Sequence, residues 1–246
     1  MFSWFKGLFK RKGKGKKKSD VGKVSSPYEL ACIAAMKNDM KGAFRGFLAA
    51  AKATNDPRAQ YFVGFMLLHG SGIAKNINIA VDWLRLSAAQ QNADALYTLG
   101  ELHLSGIGVP KDIKTCLALF KLAAKQKHIG ANYRLGMIYK TGKLGVEKSD
   151  AQAMDYLFVA AEQGHMKAQY NMGVMASDGR GTPRDDEQAA KWYQLSAEQG
   201  YELAQYNLGY MYQAGRGVPL DYKKANYWFL KSAKGLEHYE SKVKLL

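Results

Sequence analysis

The chain has 246 residues with 47% hydrophobic and 12% aromatic side chains, enough for one or two buried cores, so it should fold. Its two cysteines, Cys32 and Cys116, lie far apart and outside any Cys-x-x-Cys or Cys/His spacing, which excludes a disulfide framework and a structural zinc site and suits a reducing compartment. The net charge of +15 is uneven, because eight basic residues oppose only Asp20 within the first 20 positions, so whole-chain charge is a poor guide to what the folded body binds.

Residues 1–26 form a basic and aromatic leader. If the start is helical, Met1, Phe2, Trp4, Phe5, Leu8 and Phe9 crowd one broad side and leave Lys6 and Lys10 toward the other, the composition of an interfacial anchor. Arg11, Lys12, Lys14, Lys16, Lys17 and Lys18 follow, spaced by Gly13 and Gly15. Near anionic headgroups each basic residue contributes about 1 kcal/mol before screening. The expectation is peripheral attachment to an anionic surface at the cytoplasmic face of the inner membrane. Two other readings stay open: a disordered solubilising tail, and an arm that binds nucleic acid through salt-dependent phosphate contacts. A secretory signal would place charge before an unbroken apolar stretch, whereas here the apolar residues come first and Lys6 interrupts them. No window reaches the roughly 20 apolar residues of a spanning helix.

Over 27–58 the pattern predicts a degenerate helical hairpin that caps the N-terminal end, with helices over Tyr28–Met36 and Met40–Ala53. Phe47 stands 36 positions before Trp83, and Ala53 the same distance before Ala89. A terminal repeat faces solvent on one side, so an atypical sequence is expected there.

Residues 59–236 hold five units, starting at 59, 95, 131, 168 and 204. Each opens on Ala-x-Tyr-x-Φ-Gly (Φ apolar), and the glycines Gly64, Gly100, Gly136, Gly173 and Gly209 advance by 36, 36, 37 and 36 positions. A second glycine follows six residues later, in Gly70-Ser-Gly72, Gly106-Ile-Gly108, Gly142-Lys-Leu-Gly145, Gly179-Arg-Gly181 and Gly215-Arg-Gly217, and the extra residue of the third loop explains the longer step. Asn76, Asp112, Ser149, Asp185 and Asp221 then stand where a side-chain oxygen can cap a helix. The second helix pairs small with large residues: Ala80 with Trp83, Leu117 with Phe120, Ala153 with Tyr156, Ala189 with Trp192 and Ala225 with Trp228. In the first unit helix A therefore spans Ala59 to about His69, and helix B spans Asn76 to about Gln91. Such a hairpin cannot bury its aromatic face alone, and stacking on neighbours completes the core. Glycine within helix A costs about 1 kcal/mol relative to alanine, which predicts close helix approach there. Residues 237–246 extend the last helix as a C-terminal cap or tail.

No nucleophile, base or ligand cluster stands out. The histidines His69, His103, His128, His165 and His238 form no His-Glu-x-x-His pair, and repeat register places His165 in an inter-repeat turn. The Gly-x-Gly loops join two helices, unlike a phosphate-binding loop between strand and helix. Asp185-Asp186-Glu187 begins a helix, where negative charge suits the dipole. Catalytic, cofactor-binding and metal-binding residues are therefore expected to be absent.

The segment Ala204 to Trp228 follows Ala-x-Tyr-x-Leu-Gly-x-x-Tyr-x-x-Gly-x-Gly-Val-x-x-Asp-x-x-x-Ala-x-x-Trp almost throughout, and this pattern resembles the Sel-1-like repeat of the tetratricopeptide superfamily. Departures are Val63 for Leu, Ala74 for Pro, Ala176 for the second Tyr, and the long third loop. The resemblance implies an all-α fold, a right-handed α-solenoid of stacked antiparallel helix hairpins, and a non-enzymatic scaffold or adaptor. It also implies a concave groove lined by helix A. Alignment with the tetratricopeptide pattern puts Phe62, Thr98, Arg134, Asn171 and Asn207 at one groove position and Phe65, Glu101, Met137, Val174 and Tyr210 at the other. In relatives that hold extended peptides, asparagines at the first position grip the ligand backbone, so Asn171 and Asn207, with Arg134 beside them, are expected to hold another protein or an extended peptide. The alternative is that these are ordinary helix-surface residues. Some cysteine-rich relatives are described as hydrolases of β-lactams, but that reading needs a nucleophile beside a base, and each repeat here lacks their cysteine pair.

Overall fold

The computed structural model describes residues 26–243, with side chains to Ala233, and every regular element among them is a helix. The membrane-anchor expectation for residues 1–25 lies outside the described residues. In chain order the helices are α1 (Pro27–Met36), α2 (Met40–Thr54), α3 (Pro57–His69), α4 (Ile77–Ala89), α5 (Ala93–Ser105), α6 (Ile113–Lys125), α7 (Ile129–Thr141), α8 (Asp150–Glu162), α9 (Met166–Asp178), α10 (Asp186–Glu198), α11 (Glu202–Ala214) and α12 (Tyr222–Val243). They fall into two compact units, one through Ala123 and one from Ala124. Within the first unit α1 packs on α2, α2 on α3, α3 on α4 and α4 on α5. Within the second, α7 packs on α8 and the order continues helix by helix to α12. This is the fold of stacked antiparallel hairpins that the repeat implies.

Local chemistry sets each boundary. The expected caps of the second helices all form: Asn76 accepts from Ile79 N at 3.1 Å, Asp112 from Thr115 N at 3.1 Å, Ser149 from Gln152 N at 3.3 Å, and Asp185 and Asp221 each accept at 2.9 Å from the backbone three residues on. The first helices end on left-handed glycines, Gly70, Gly106, Gly142, Gly179 and Gly215.

The helix-A glycines mark the closest approach of the two helices of a hairpin. A Cβ on Gly64 would lie 2.8 Å from Leu84; on Gly100, 2.6 Å from Phe120; on Gly136, 2.6 Å from Leu157; on Gly173, 2.6 Å from Tyr193; on Gly209, 2.8 Å from Phe229. This corrects the expected register of helix B in the second repeat. The closing residues are Leu84, Phe120, Leu157, Tyr193 and Phe229, each one position after the column of Trp83, Leu119, Tyr156, Trp192 and Trp228. That column is half-buried, and Trp192 and Trp228 pack against buried clusters that their own helix A shares with the preceding hairpin. In the second repeat the true equivalents of Ala80 and Trp83 are Cys116 and Leu119, not Leu117 and Phe120.

Polar side chains tie hairpin to hairpin at buried positions. Gln169 donates to Ala161 O at 3.2 Å and Gln205 to Ala197 O at 3.1 Å, so each glutamine satisfies a carbonyl at the end of the preceding helix. Ser87, Ser196 and Ser232 donate to Pro57 O, Met166 O and Glu202 O at 2.6, 2.9 and 3.0 Å, which fastens helix B to the start of helix A.

His165 is an N-cap: its Nδ1 accepts from Ala168 N at 3.1 Å while its ring stacks on Tyr133, centroids 4.3 Å apart. That bond needs the neutral imidazole. Burial, and then Lys167, hold the His165 pKa below its ordinary 6.5, with the residue's own backbone opposing. A histidine whose folded pKa is depressed contributes fully above the unfolded pKa and loses that contribution as pH falls through the folded value. Unfolding titrations at pH 7.5 and pH 5 should therefore show a loss on acidification, and His165→Asn, which keeps a cap acceptor without titrating, should show a smaller one. Equal acid losses in the two proteins would refute the assignment.

Candidate functional site

The expected groove residues divide between the units. In the first unit Phe62 does not line a groove. It is 2% exposed, and its ring stacks on Phe47 at 4.6 Å, with Tyr28 at 6.2 Å. The N-terminal hairpin therefore uses this position as core, which corrects the expectation. Phe65 is half-buried between Tyr61 at 5.9 Å and His69 at 4.3 Å. The Thr98 hydroxyl donates to Asp94 O at 2.8 Å and also pairs with the Tyr61 hydroxyl, and Glu101 is half-buried.

In the second unit the asparagines are spoken for. Asn171 is 6% exposed; its Oδ1 accepts from Lys140 Nζ of α7, and its Nδ2 donates to Lys167 O at 2.7 Å. A buried amide that bonds the protein at both ends offers little surface to grip a peptide backbone, so Asn171 is a joint between repeats. Asn207 is half-buried and bonds the hydroxyls of Tyr170 and Tyr193. Burial pushes the Tyr193 pKa up to about 12, with the Asn207 bond opposing. Arg134 is exposed, Met137 and Val174 are half-buried against the next repeat, and Tyr210 is 48% exposed.

Charge on this face is organised by pairs that reach back one repeat. Arg180, in the loop after α9, meets Asp150 at the start of α8 at 2.7 and 3.2 Å. Arg216, in the next loop, meets Asp186 at the start of α10 at 2.8 and 3.3 Å, and Arg184 is the second partner of that carboxylate. The bond from Arg216, then that from Arg184, holds the Asp186 carboxyl far below the usual carboxylate range. Lys140 has a lowered pKa, first because it is desolvated and then because Arg180 is near; Asp178 and Asp150 act in the opposite direction.

Sequence reasoning missed Lys140, Arg180 and Arg216. The two arginines stand between the paired glycines of successive loops, and their partners Asp150 and Asp186 sit one repeat earlier with the same 30-residue separation, a signal that the repeat alignment contains. Among the described residues, no group of three or more His, Cys, Asp or Glu is placed to hold a metal ion, and no helix is long and apolar enough to cross a membrane.

Solved structures resemble the chain over most of its length. The c5321 protein, a protective antigen of uropathogenic Escherichia coli displaying an SLR fold, is 28% identical with a TM-score of 0.75 over 95% of this chain and 48% of its own, so the chain spans about half the length of that relative. A Sel1 repeat protein from Oxalobacter formigenes is also 28% identical, with a TM-score of 0.75 over 86% of this chain and 83% of its own. The immunity protein PA5088 of Pseudomonas aeruginosa, 14% identical with a TM-score of 0.54 over 89% of this chain and 85% of its own, shares the fold. No curated protein matches. The Sel1 repeat matches five times, over residues 57–92, 93–128, 129–165, 167–201 and 203–235, and the chain belongs to the Sel1 repeat family.

Proposed function

We propose that the chain is a non-enzymatic scaffold that takes a partner protein on the helix-A face of its second unit while residues 1–26 hold it at the cytoplasmic face of an anionic membrane. The observation that carries the first part is how the side chains of that face are used. Stacking takes up Asn171, Asn207, Tyr170, Lys140 and Met137, while Arg134 is exposed. Recognition on such a face rests on side chains and suits a folded partner or a side-chain-rich segment more than a bare backbone. The ionisable groups near it, His165 and Asp186 among them, are committed to capping and ion pairs, which supports binding over turnover. The leader supports membrane attachment through its apolar residues Phe2, Trp4, Phe5, Leu8 and Phe9 followed by a basic run.

Two arms of one experiment test the reading. Full-length protein immobilised through its C-terminus is exposed to detergent-solubilised membranes, and Arg134→Glu should lose about tenfold or more of the captured partner at unchanged helicity. Capture equal to wild type would remove this face from the proposal. In the second arm the protein is sedimented with anionic phospholipid vesicles, where Trp4→Glu with Phe5→Glu should stay in solution. Variant protein that pellets as wild type does would refute the anchor; duplex DNA that strips wild type from the vesicles would favour the nucleic-acid reading.

A further inference from the structure

Every helix A carries the same two-sided pattern. Each contains Tyr-x-Φ-x-x-Φ, whose two apolar residues form the leading side: Tyr61, Val63 and Met66 in α3; Tyr97, Leu99 and Leu102 in α5; Tyr133, Leu135 and Ile138 in α7; Tyr170, Met172 and Met175 in α9; Tyr206, Leu208 and Met211 in α11. In all five the two residues after the tyrosine are buried. The tyrosine and the residue four positions later form a trailing stripe that meets the following helix A. Tyr133 and Met137 pack on the cluster that holds Met172 and Met175, and Tyr170 and Val174 pack on the cluster that holds Leu208 and Met211. One joint, trailing stripe against leading pair, is thus made repeatedly.

Its two halves also occur uncovered among the described residues. Helix α1 repeats the leading pattern as Tyr28-x-Leu30-x-x-Ile33, yet Leu30 is 54% and Ile33 38% exposed, and Met36 continues the stripe at 50%. Helix α11 presents the trailing stripe, with Tyr206 57% and Tyr210 48% exposed, and Leu203 one turn before them at 50%.

We infer that these faces belong together: the trailing stripe of α11 in one molecule docks the leading face of α1 in a second copy of this chain. The joint is the one the chain already builds between successive repeats, with Tyr206 and Tyr210 in the places of Tyr170 and Val174, and Leu30 and Ile33 in those of Leu208 and Met211. Each half lies on a different helix of the chain, so the contact is heterologous and leaves a free end at each side of a dimer, able to add further copies or close a ring.

The test is a mixing experiment on the full-length protein by sedimentation velocity over a concentration series. Wild type should form species that grow with concentration. Leu30→Glu alone and Tyr206→Glu alone should each weaken association about tenfold or more. Because each variant retains one intact face, an equimolar mixture should give a one-to-one dimer and nothing larger. Ile33→Lys and Tyr210→Lys form a second pair at positions equally open to solvent, and circular dichroism checks that all four variants are folded. Three outcomes overturn the inference: a wild type that stays monomeric, Leu30→Glu that still dimerises through a symmetric tail-to-tail contact, and variants that associate as wild type does through residues 1–26.

Discussion

Gly217→Ala should be among the most damaging single-atom changes in the chain, lowering stability by about 3 kcal/mol, or roughly 6–12 °C in midpoint. Gly217 has φ +65, a left-handed conformation that costs an L residue about 1–2 kcal/mol, and a Cβ there would lie 2.0 Å from Asp186 O. That carbonyl belongs to the first turn of α10, fixed by the Asp185 cap, so the loop rather than the helix must give way. Gly145 supplies the control. Its φ of +72 is nearly the same, yet a Cβ there meets nothing within 4 Å. Gly145→Ala should therefore cost about 1 kcal/mol, the conformational part alone. Equal losses at the two sites in thermal unfolding would show that only backbone conformation matters and that the contact with α10 is incidental.

The comparison explains why the loops carry two glycines. The first ends helix A in the left-handed region, whereas the second lets the loop lie against the start of helix B one repeat earlier: Gly72 on Met40 O, Gly108 on Ile77, Gly181 on Asp150 O and Gly217 on Asp186 O. In the last two of these the residue between the glycines is arginine, and it pairs with the aspartate at that same helix start. The anionic end group also suits the positive end of the helix dipole. A motif with the look of a phosphate cradle is thus a stacking clamp, its anion supplied by the protein itself.

Much of the fold was legible because its signals are local. Helix ends follow from caps and left-handed glycines, and the repeat period fixes which residues are equivalent. Direction around a helix was less legible. Trp83, Trp192 and Trp228 mark the aromatic face that stacking covers, but the residue that closes each hairpin stands one position later, about 100° around the helix. The closing position holds Leu, Phe or Tyr, chosen by the gap over each helix-A glycine. The groove was least legible. Nothing local in Asn171 or Asn207 tells that one amide is held by Lys140 of the preceding helix A and the other by two tyrosine hydroxyls, since those partners lie 14 to 37 residues away. Phe62 failed for the same reason: its neighbour Phe47 belongs to the least regular hairpin, whose register against the others is blurred by its short connection.

Phe47→Ala should cost about 3–5 kcal/mol, concentrated in the first hairpin. The ring is fully buried and stacks on Phe62 while Tyr28 leans on it at 5.6 Å, so truncation opens a cavity at the point where α1, α2 and α3 meet. In a stacked-repeat protein each hairpin is stabilised by its neighbours, and a terminal one has a single neighbour to lose. The damage should therefore appear as local opening of residues 27–54 before the rest. The two cysteines report this separately, because Cys32 is buried in α1 and Cys116 in α6. In the variant, labelling of Cys32 by a thiol reagent should accelerate at denaturant concentrations that leave Cys116 protected, whereas in wild type both should stay protected until the first unit unfolds. If Cys32 and Cys116 become reactive together in Phe47→Ala, the first hairpin does not open on its own, and the aromatic stack is sustaining the whole unit instead of sealing its end.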